Sequence, residues 1–283
     1  MKAEVTAERP LGGRALFWFL MKYVFLGPWL RLAYRPQVSG IENVPVEGGA
    51  ILAANHQSFL DDLLLPLVIP GRKVVFLGKA EYFDKWYLRW FFKGANMIPV
   101  RRGGGSASEA ALAAGVQGLR EGKLIGIFPE GTRSPDGRLY RGKTGVARMA
   151  LEARVPVVPA GIVGTLKAMP YDRKIPRPAH VEIRFGKPLT FDTYQEMQTD
   201  RFIYRAVTDE IMYEIMSLSG QEYTDEDATR VKKRITARKA AKSGGDSGTD
   251  GAPEERPASA PDVAPPPRTE QRTDLPTDSD SRN

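Results

Sequence analysis

Ala50-Ile51-Leu52-Ala53-Ala54-Asn55-His56-Gln57-Ser58-Phe59-Leu60-Asp61 opens with five apolar residues and closes on a carboxylate. An apolar run without polar alternation predicts a strand buried on both faces, as in a parallel sheet covered by helices. The polar string after it places His56 and Asp61, an H-x4-D spacing, just past the strand's end, and residues 59–69 read as an apolar helix. The same alternation continues along the chain. Strands are predicted at 74–77, 97–100, 124–128, 157–163 and 181–185, and helices at 86–92, 106–121, 142–153 and 201–218. Strands alternating with helices give an α/β fold, a mostly parallel sheet flanked by helices, with ligands expected at the C-terminal ends of the strands.

A second polar string, Phe128-Pro129-Glu130-Gly131-Thr132-Arg133-Ser134, also follows a predicted strand. The first string supplies a base with a carboxylate to orient it. The second supplies a cation beside backbone that glycine leaves accessible. Together they can activate a hydroxyl and hold a phosphate. The chain has only two histidines, so His56 has little competition for the role of base.

In order and spacing, these two strings resemble the first and third motifs of the glycerolipid acyltransferases typified by 1-acyl-glycerol-3-phosphate acyltransferase. Ile98-Pro99-Val100-Arg101-Arg102 is similar to the second motif, and Val155-Pro156-Val157-Val158-Pro159 to a fourth, so the resemblance runs from about Val38 to Ile183. The second motif departs from the family pattern at Asn96, where glycine is frequent, and at Arg101, where aspartate is usual.

The resemblance implies acyl transfer from a thioester, acyl-CoA or acyl carrier protein, to the free hydroxyl of a lysophosphatidate, giving phosphatidic acid without any cofactor. Three problems must then be solved: the hydroxyl is a poor nucleophile, the intermediate is an oxyanion, and two substrates must meet. Imidazole suits proton removal near neutral pH, and an aspartate on its other nitrogen fixes the tautomer and stabilises the imidazolium. Asp61 takes that role by motif spacing, with Asp62 as the alternative. Ser58 is not needed as a nucleophile, because the acceptor's own hydroxyl attacks.

Arg133, with Arg102 and Thr132, is expected to bind the acceptor phosphate through forked, charge-assisted contacts. Lys79 is either a third such contact or an ordinary surface lysine. Glu130 is too anionic for phosphate and is expected to hold the loop in shape through backbone or an arginine. Gly131 permits close backbone approach, so that its N–H or a neighbour's could serve the oxyanion. Arg138, Arg141 and Lys143 read as a positive rim, and Gly103-Gly104-Gly105 as a flexible connector.

Composition narrows the alternatives. With no cysteine, disulfides, thiolate nucleophiles and cysteine-ligated metals are excluded, and the separation of the histidines makes a histidine-based zinc site improbable. Formal charge is +7, yet residues 243–283 hold nine acidic and four basic residues, net −5, which leaves +12 on residues 1–242. A basic body suits an anionic membrane surface or a phosphate-bearing substrate. It lacks the interleaved basic and aromatic pattern of a nucleic-acid module, so no nucleic acid is expected as a partner.

Residues 15–34, ALFWFLMKYVFLGPWLRLAY, are long enough to span a bilayer. Lys22 near their centre, Gly27-Pro28 and the scattered tryptophans and tyrosines favour instead a bent, interfacial hairpin, with Arg9, Arg14, Arg31 and Arg35 toward headgroups. No cleavage site of a signal peptide follows the run. The expected organisation is a membrane-anchoring segment over 1–35, an acyltransferase domain over 36–220, a basic helical segment over 221–242 and a disordered tail over 243–283. The protein is thus expected on the cytoplasmic face of the cell membrane, peripheral or monotopic. The competing readings are another lysolipid acceptor, a thioester hydrolase, and a lipid-surface binder without catalysis. A pure binder has no use for a base–carboxylate pair, and hydrolysis leaves the phosphate-binding residues unexplained.

Overall fold

In a computed structural model, residues 20–79, 98–100, 104–170, 173, 175–195 and 200–244 are described. The contacts gather into one unit over Met1–Ala240; of a second, Ala241–Asn283, only residues 241–244 are described. The predicted helix at 86–92 lies outside the described residues, as does the predicted tail beyond Ser243 and Gly244, which close the last helix.

A π-helical turn, Met21–Phe25, leads directly into α1, Leu26–Tyr34. Then come β1 (Gln37–Ser39), β2 (Ala50–Ala54), α2 (Phe59–Val68), β3 (Val74–Lys79), β4 (Ile98–Val100), α3 (Gly104–Arg120) and β5 (Leu124–Ile127). These are followed by β6 (Leu139–Tyr140), α4 (Gly145–Ala153), β7 (Val157–Val163), the short α5 (Thr165–Ala168) and β8 (Glu182–Phe185). The C-terminal elements are α6 (Asp192–Gln195), α7 (Arg201–Ser219), β9 (Tyr223–Thr224) and α8 (Ala228–Gly244). Seven strands form one sheet in the order β1-β8-β7-β2-β5-β3-β4. Every pairing in it is parallel except β7 with β8. The mostly parallel α/β architecture expected from the sequence is therefore present.

Burial on both sides explains the unbroken apolar run of β2. Ala50, Leu52 and Ala54 face a core shared with Tyr34 of α1 and Leu60, Leu64 and Leu65 of α2. Ile51 and Ala53 face the opposite core, with Val116 and Leu119 of α3, Met149 of α4 and Val207 and Ile211 of α7. Helix α7 lies directly on β7, because a Cβ on Gly161 would stand only 2.5 Å from the carbonyl carbon of Leu218. β2 and β5 are neighbours in register, Ala53 opposite Ile127, so both polar strings leave the sheet at the same edge.

Gly27-Pro28 does not break the described helical run. The run is continuous over 20–34, and its π-helical turn, Met21–Phe25, stands just before this pair, the kind of wider turn that accommodates a proline lacking its N–H. A Cβ on Gly27 would sit 1.6 Å from the Lys22 carbonyl oxygen. Lys22, the charge near the centre of the apolar run, points into the protein. Its side chain is buried, its ammonium donates to the Ile69 carbonyl after α2, and burial, reinforced by Arg31, pulls its pKa down to about 8. Gly104 and Gly105 are also the first residues of α3 rather than part of a connector.

Candidate active site

The H-x4-D spacing is a consequence of how α2 begins. Ser58 is the N-cap, its hydroxyl accepting from the Leu60 N–H at 3.3 Å, and Asp61 at the third helical position reaches back to the Ser58 N–H at 2.7 Å. This reciprocal cap satisfies two donors that a helix start would otherwise leave open and is worth about 1 kcal/mol. The same Asp61 Oδ2 also accepts from the Gln57 N–H at 2.7 Å and lies 3.0 Å from Nδ1 of His56. Three donors converge on one oxygen, and Asp61 is fully buried. Asp61, not Asp62, is therefore the residue against Nδ1. Ser58, buried and donating to the Met169 carbonyl at 2.9 Å, is committed to the cap.

The ring and its backbone are held on further sides. Its ring stacks on Phe128 at 4.0 Å between centroids and 11° between planes, and Phe128 stacks in turn on Phe76. The His56 N–H donates to Glu130 Oε1 at 2.8 Å, and its carbonyl accepts from the Ser134 N–H at 2.7 Å. Nε2 faces the remaining side, 4.0 Å from Asp62 Oδ2. Burial pushes the Asp62 carboxyl up to about 6, against the lowering charges of His56 and Arg133. Arg133 is half-buried and exerts its charge on this same space. The base nitrogen and the Asp62 carboxyl thus border the place where an acceptor hydroxyl would lie, with the Arg133 charge acting on it.

Glu130 ties the two strings together. One carboxylate oxygen accepts from His56 as above, and the other from the Tyr140 N–H at 3.0 Å. Burial pushes this carboxyl up to about 8, while the two amide donors and nearby Lys232 favour the anion. Gly131 has φ +71°, which favours glycine, and its N–H donates to the Phe128 carbonyl at 2.9 Å. That bond closes the turn and engages the Gly131 N–H within the loop, which leaves a neighbour's N–H as the donor that the sequence reading offers an oxyanion. Thr132, expected to meet phosphate, has its hydroxyl held by the Lys232 ammonium of α8 at 2.7 Å. Lys79 closes β3 in register with Val100, with its side chain outside the described residues, as is all of Arg102.

Three contributors escaped the sequence reading. Asn55, fully buried, accepts from the Ile162 N–H at 2.7 Å and donates to the Ile162 carbonyl at 2.8 Å and to Gln221 at 2.7 Å, locking the end of β2 to β7. Its place inside the first motif was the available signal. Lys232 lay in a basic run that reads as a solvated or lipid-facing helix. Phe128 read only as the end of a strand.

A site of this kind, a base–carboxylate pair and a cation-bearing loop at the C-terminal edge of a parallel sheet, defines a class of group-transfer domain. Residues 35–163 match the acyltransferase family model. It is 33% identical over 138 residues to a chloroplastic 1-acyl-sn-glycerol-3-phosphate acyltransferase of Brassica napus, covering 48% of this chain and 40% of that protein. It is 34% identical over 138 residues to a chloroplastic counterpart in Arabidopsis thaliana, covering 48% and 38%. With the 1-acyl-sn-glycerol-3-phosphate acyltransferase of Bacillus subtilis it shares 29% over 149 residues, covering 52% and 70%. The match thus spans about two-fifths of the length of the plant relatives. The fold is similar to the crystal structure of the 1-acyl-sn-glycerophosphate acyltransferase PlsC from Thermotoga maritima. The TM-score is 0.58 at 24% identity, over 76% of this chain and 84% of that one.

Proposed function

We propose that the chain transfers a fatty acyl group from a thioester, acyl-CoA or acyl carrier protein, to the free hydroxyl of 1-acyl-glycerol-3-phosphate, giving phosphatidic acid. The observation that carries this reading is His56, held by Asp61 at 3.0 Å on Nδ1 with Nε2 facing the space where Arg133 acts. The hydroxyl oxygen attacks the thioester carbonyl carbon as its proton passes to His56 Nε2. The oxyanion then collapses, the C–S bond breaks, and the imidazolium returns the proton to the departing thiolate. The matched relatives are 1-acyl-sn-glycerol-3-phosphate acyltransferases, which supports the acceptor, and Arg133 supplies the charge that a phosphate monoester requires.

The test is to supply labelled acyl donor with a panel of lysolipids and identify the product lipid. Lysophosphatidate is expected to be preferred, and preference for an acceptor without a phosphate monoester would overturn the reading. In the same assay Arg133→Ala is expected to raise the lysophosphatidate KM by roughly tenfold or more, the loss of one charge-assisted contact, while sparing monoacylglycerol. Equal losses on both acceptors would remove Arg133 from phosphate binding.

We further propose that the chain works peripherally or monotopically at the cytoplasmic face of the cell membrane. Tyr23, Val24, Phe25, Trp29 and Leu32 are exposed together on the π-helical turn and α1, with Trp29 56% and Leu32 72% exposed. Aromatic and aliphatic side chains grouped this way on a short helix suit the headgroup boundary. Among the described residues no helix is long and apolar enough to cross a membrane. Trp29→Ser with Leu32→Ser is expected to reduce co-flotation with anionic liposomes and to spare transfer to a short-chain, soluble acceptor. Unchanged flotation would move the contact elsewhere.

A further inference from the structure

The first turns of α7 and α8 face each other across the segment Arg141–Thr144, enclosing an open groove of about 1050 Å³. Its acidic lining residues are already paired: Asp225 with Arg141 at 3.4 Å, Asp227 with Lys143 at 3.8 Å, and Glu226 with Arg234. Arg201 and Arg230 line the same groove, are exposed, and make no ion pair among the described residues. Phe202, 72% exposed, stands there too, with the Arg201 guanidinium 5.4 Å from its ring centroid.

Two links tie the groove to the reaction centre. The Lys143 N–H donates to the Pro129 carbonyl at 2.8 Å, and the Lys143 side chain lies against Gly131, where a Cβ would meet its Cε at 2.9 Å. From the α8 side, Lys232 holds Thr132. A molecule bound in the groove would therefore adjoin the loop that carries Glu130 and Arg133.

Guanidinium groups outside any ion pair among the described residues, beside an exposed aromatic ring, suit a ligand with both phosphates and a flat base. Arginine takes phosphate in a planar fork, and a phenyl face stacks a purine. A concavity of this size is also that of a small-molecule site. We infer that the groove holds the nucleotide end of a coenzyme A thioester, with phosphates on Arg201 and Arg230 and the purine against Phe202. This rests on the acyl-transfer reading above and assigns its donor. Residues 201–234 lie beyond the matched family region, 35–163, so this donor contact belongs to the chain's own C-terminal elements.

The experiment is calorimetric titration of the full chain with adenosine 3′,5′-bisphosphate and with coenzyme A, alongside donor and acceptor KM. Arg201→Ala with Arg230→Ala is expected to weaken both ligands by roughly 10–100-fold. Donor KM should rise in parallel, with acceptor KM unmoved. Lysine at both positions should recover part of the binding, and Phe202→Ser should weaken the nucleotide while leaving inorganic phosphate binding unchanged. Because all three side chains are exposed, matched thermal melts will exclude misfolding.

The assignment is overturned if the wild-type chain binds neither nucleotide, or if the double variant binds both as tightly. It is also overturned if the variant keeps nucleotide binding and loses only liposome flotation, which would mark a membrane face. Loss only of transfer from acyl carrier protein would mark a protein-docking face and overturn it likewise. Nucleotide binding through the arginines without transfer from any thioester would leave the groove standing and refute the acyl-transfer reading. Transfer from acyl-CoA with unchanged donor KM in the variant would do the reverse.

Discussion

His56→Ala is expected to lower acyl transfer by roughly 10²–10⁴-fold, the range that a positioned general base contributes. Lysolipid binding should change far less, because the imidazole acts on the hydroxyl as attack proceeds and not on the phosphate. The substitution also removes the ring stacked on Phe128, so thermal melts must accompany the kinetics. His56→Gln, which keeps more side-chain volume beside that ring, should be equally inactive. If either purified variant retains most of its transfer rate, another group activates the hydroxyl, and Asp62 at 4.0 Å from Nε2 becomes the first candidate.

Asp61→Asn is expected to approach ~10⁴-fold, the loss seen when the aspartate of a Ser-His-Asp triad becomes an amide. An asparagine oxygen can still accept from the Gln57 and Ser58 N–H groups, so the start of α2 should survive. What disappears is the negative charge that stabilises the imidazolium. The amide nitrogen then falls where Asp61 Oδ1 now lies buried with no hydrogen-bond partner among the described residues, adding about 1–3 kcal/mol of destabilisation. The double variant His56→Ala/Asp61→Asn should be little slower than His56→Ala, since residues acting as a unit are strongly non-additive. A loss of only a few-fold in Asp61→Asn would mean that the His56 tautomer is set elsewhere.

The sequence made the sheet's centre legible because its strands are buried on both faces and carry unbroken apolar runs. Strand β1, whose three residues are all exposed, and the two-residue β6 and β9 have no such signature. The antiparallel turn of β8 onto β7 leaves no local mark either. In the site, His56, Asp61, Glu130 and Arg133 could be read because short spacings after predicted strands bring them to one edge. Lys232 and Gln221 could not, since their contacts bridge 100 and 166 residues of chain. Lys22 shows the opposite error. A lysine in an apolar segment reads as a cation in search of water or headgroups, yet a backbone carbonyl left open after α2 satisfies it inside the protein.

The shared oxygen of Asp61 makes competence a property of local order. Because the bond that orients His56 and the bonds that close the first turn of α2 end on the same atom, the turn cannot fray while the base stays poised. Opening there disarms the chemistry before the rest of the sheet is disturbed. Under mild denaturant, catalysis should therefore vanish ahead of global unfolding, and hydrogen exchange at Gln57 and Ser58 would track the inactive fraction. The carboxylate works as an interlock, so that a molecule only partly folded at this corner cannot turn over substrate.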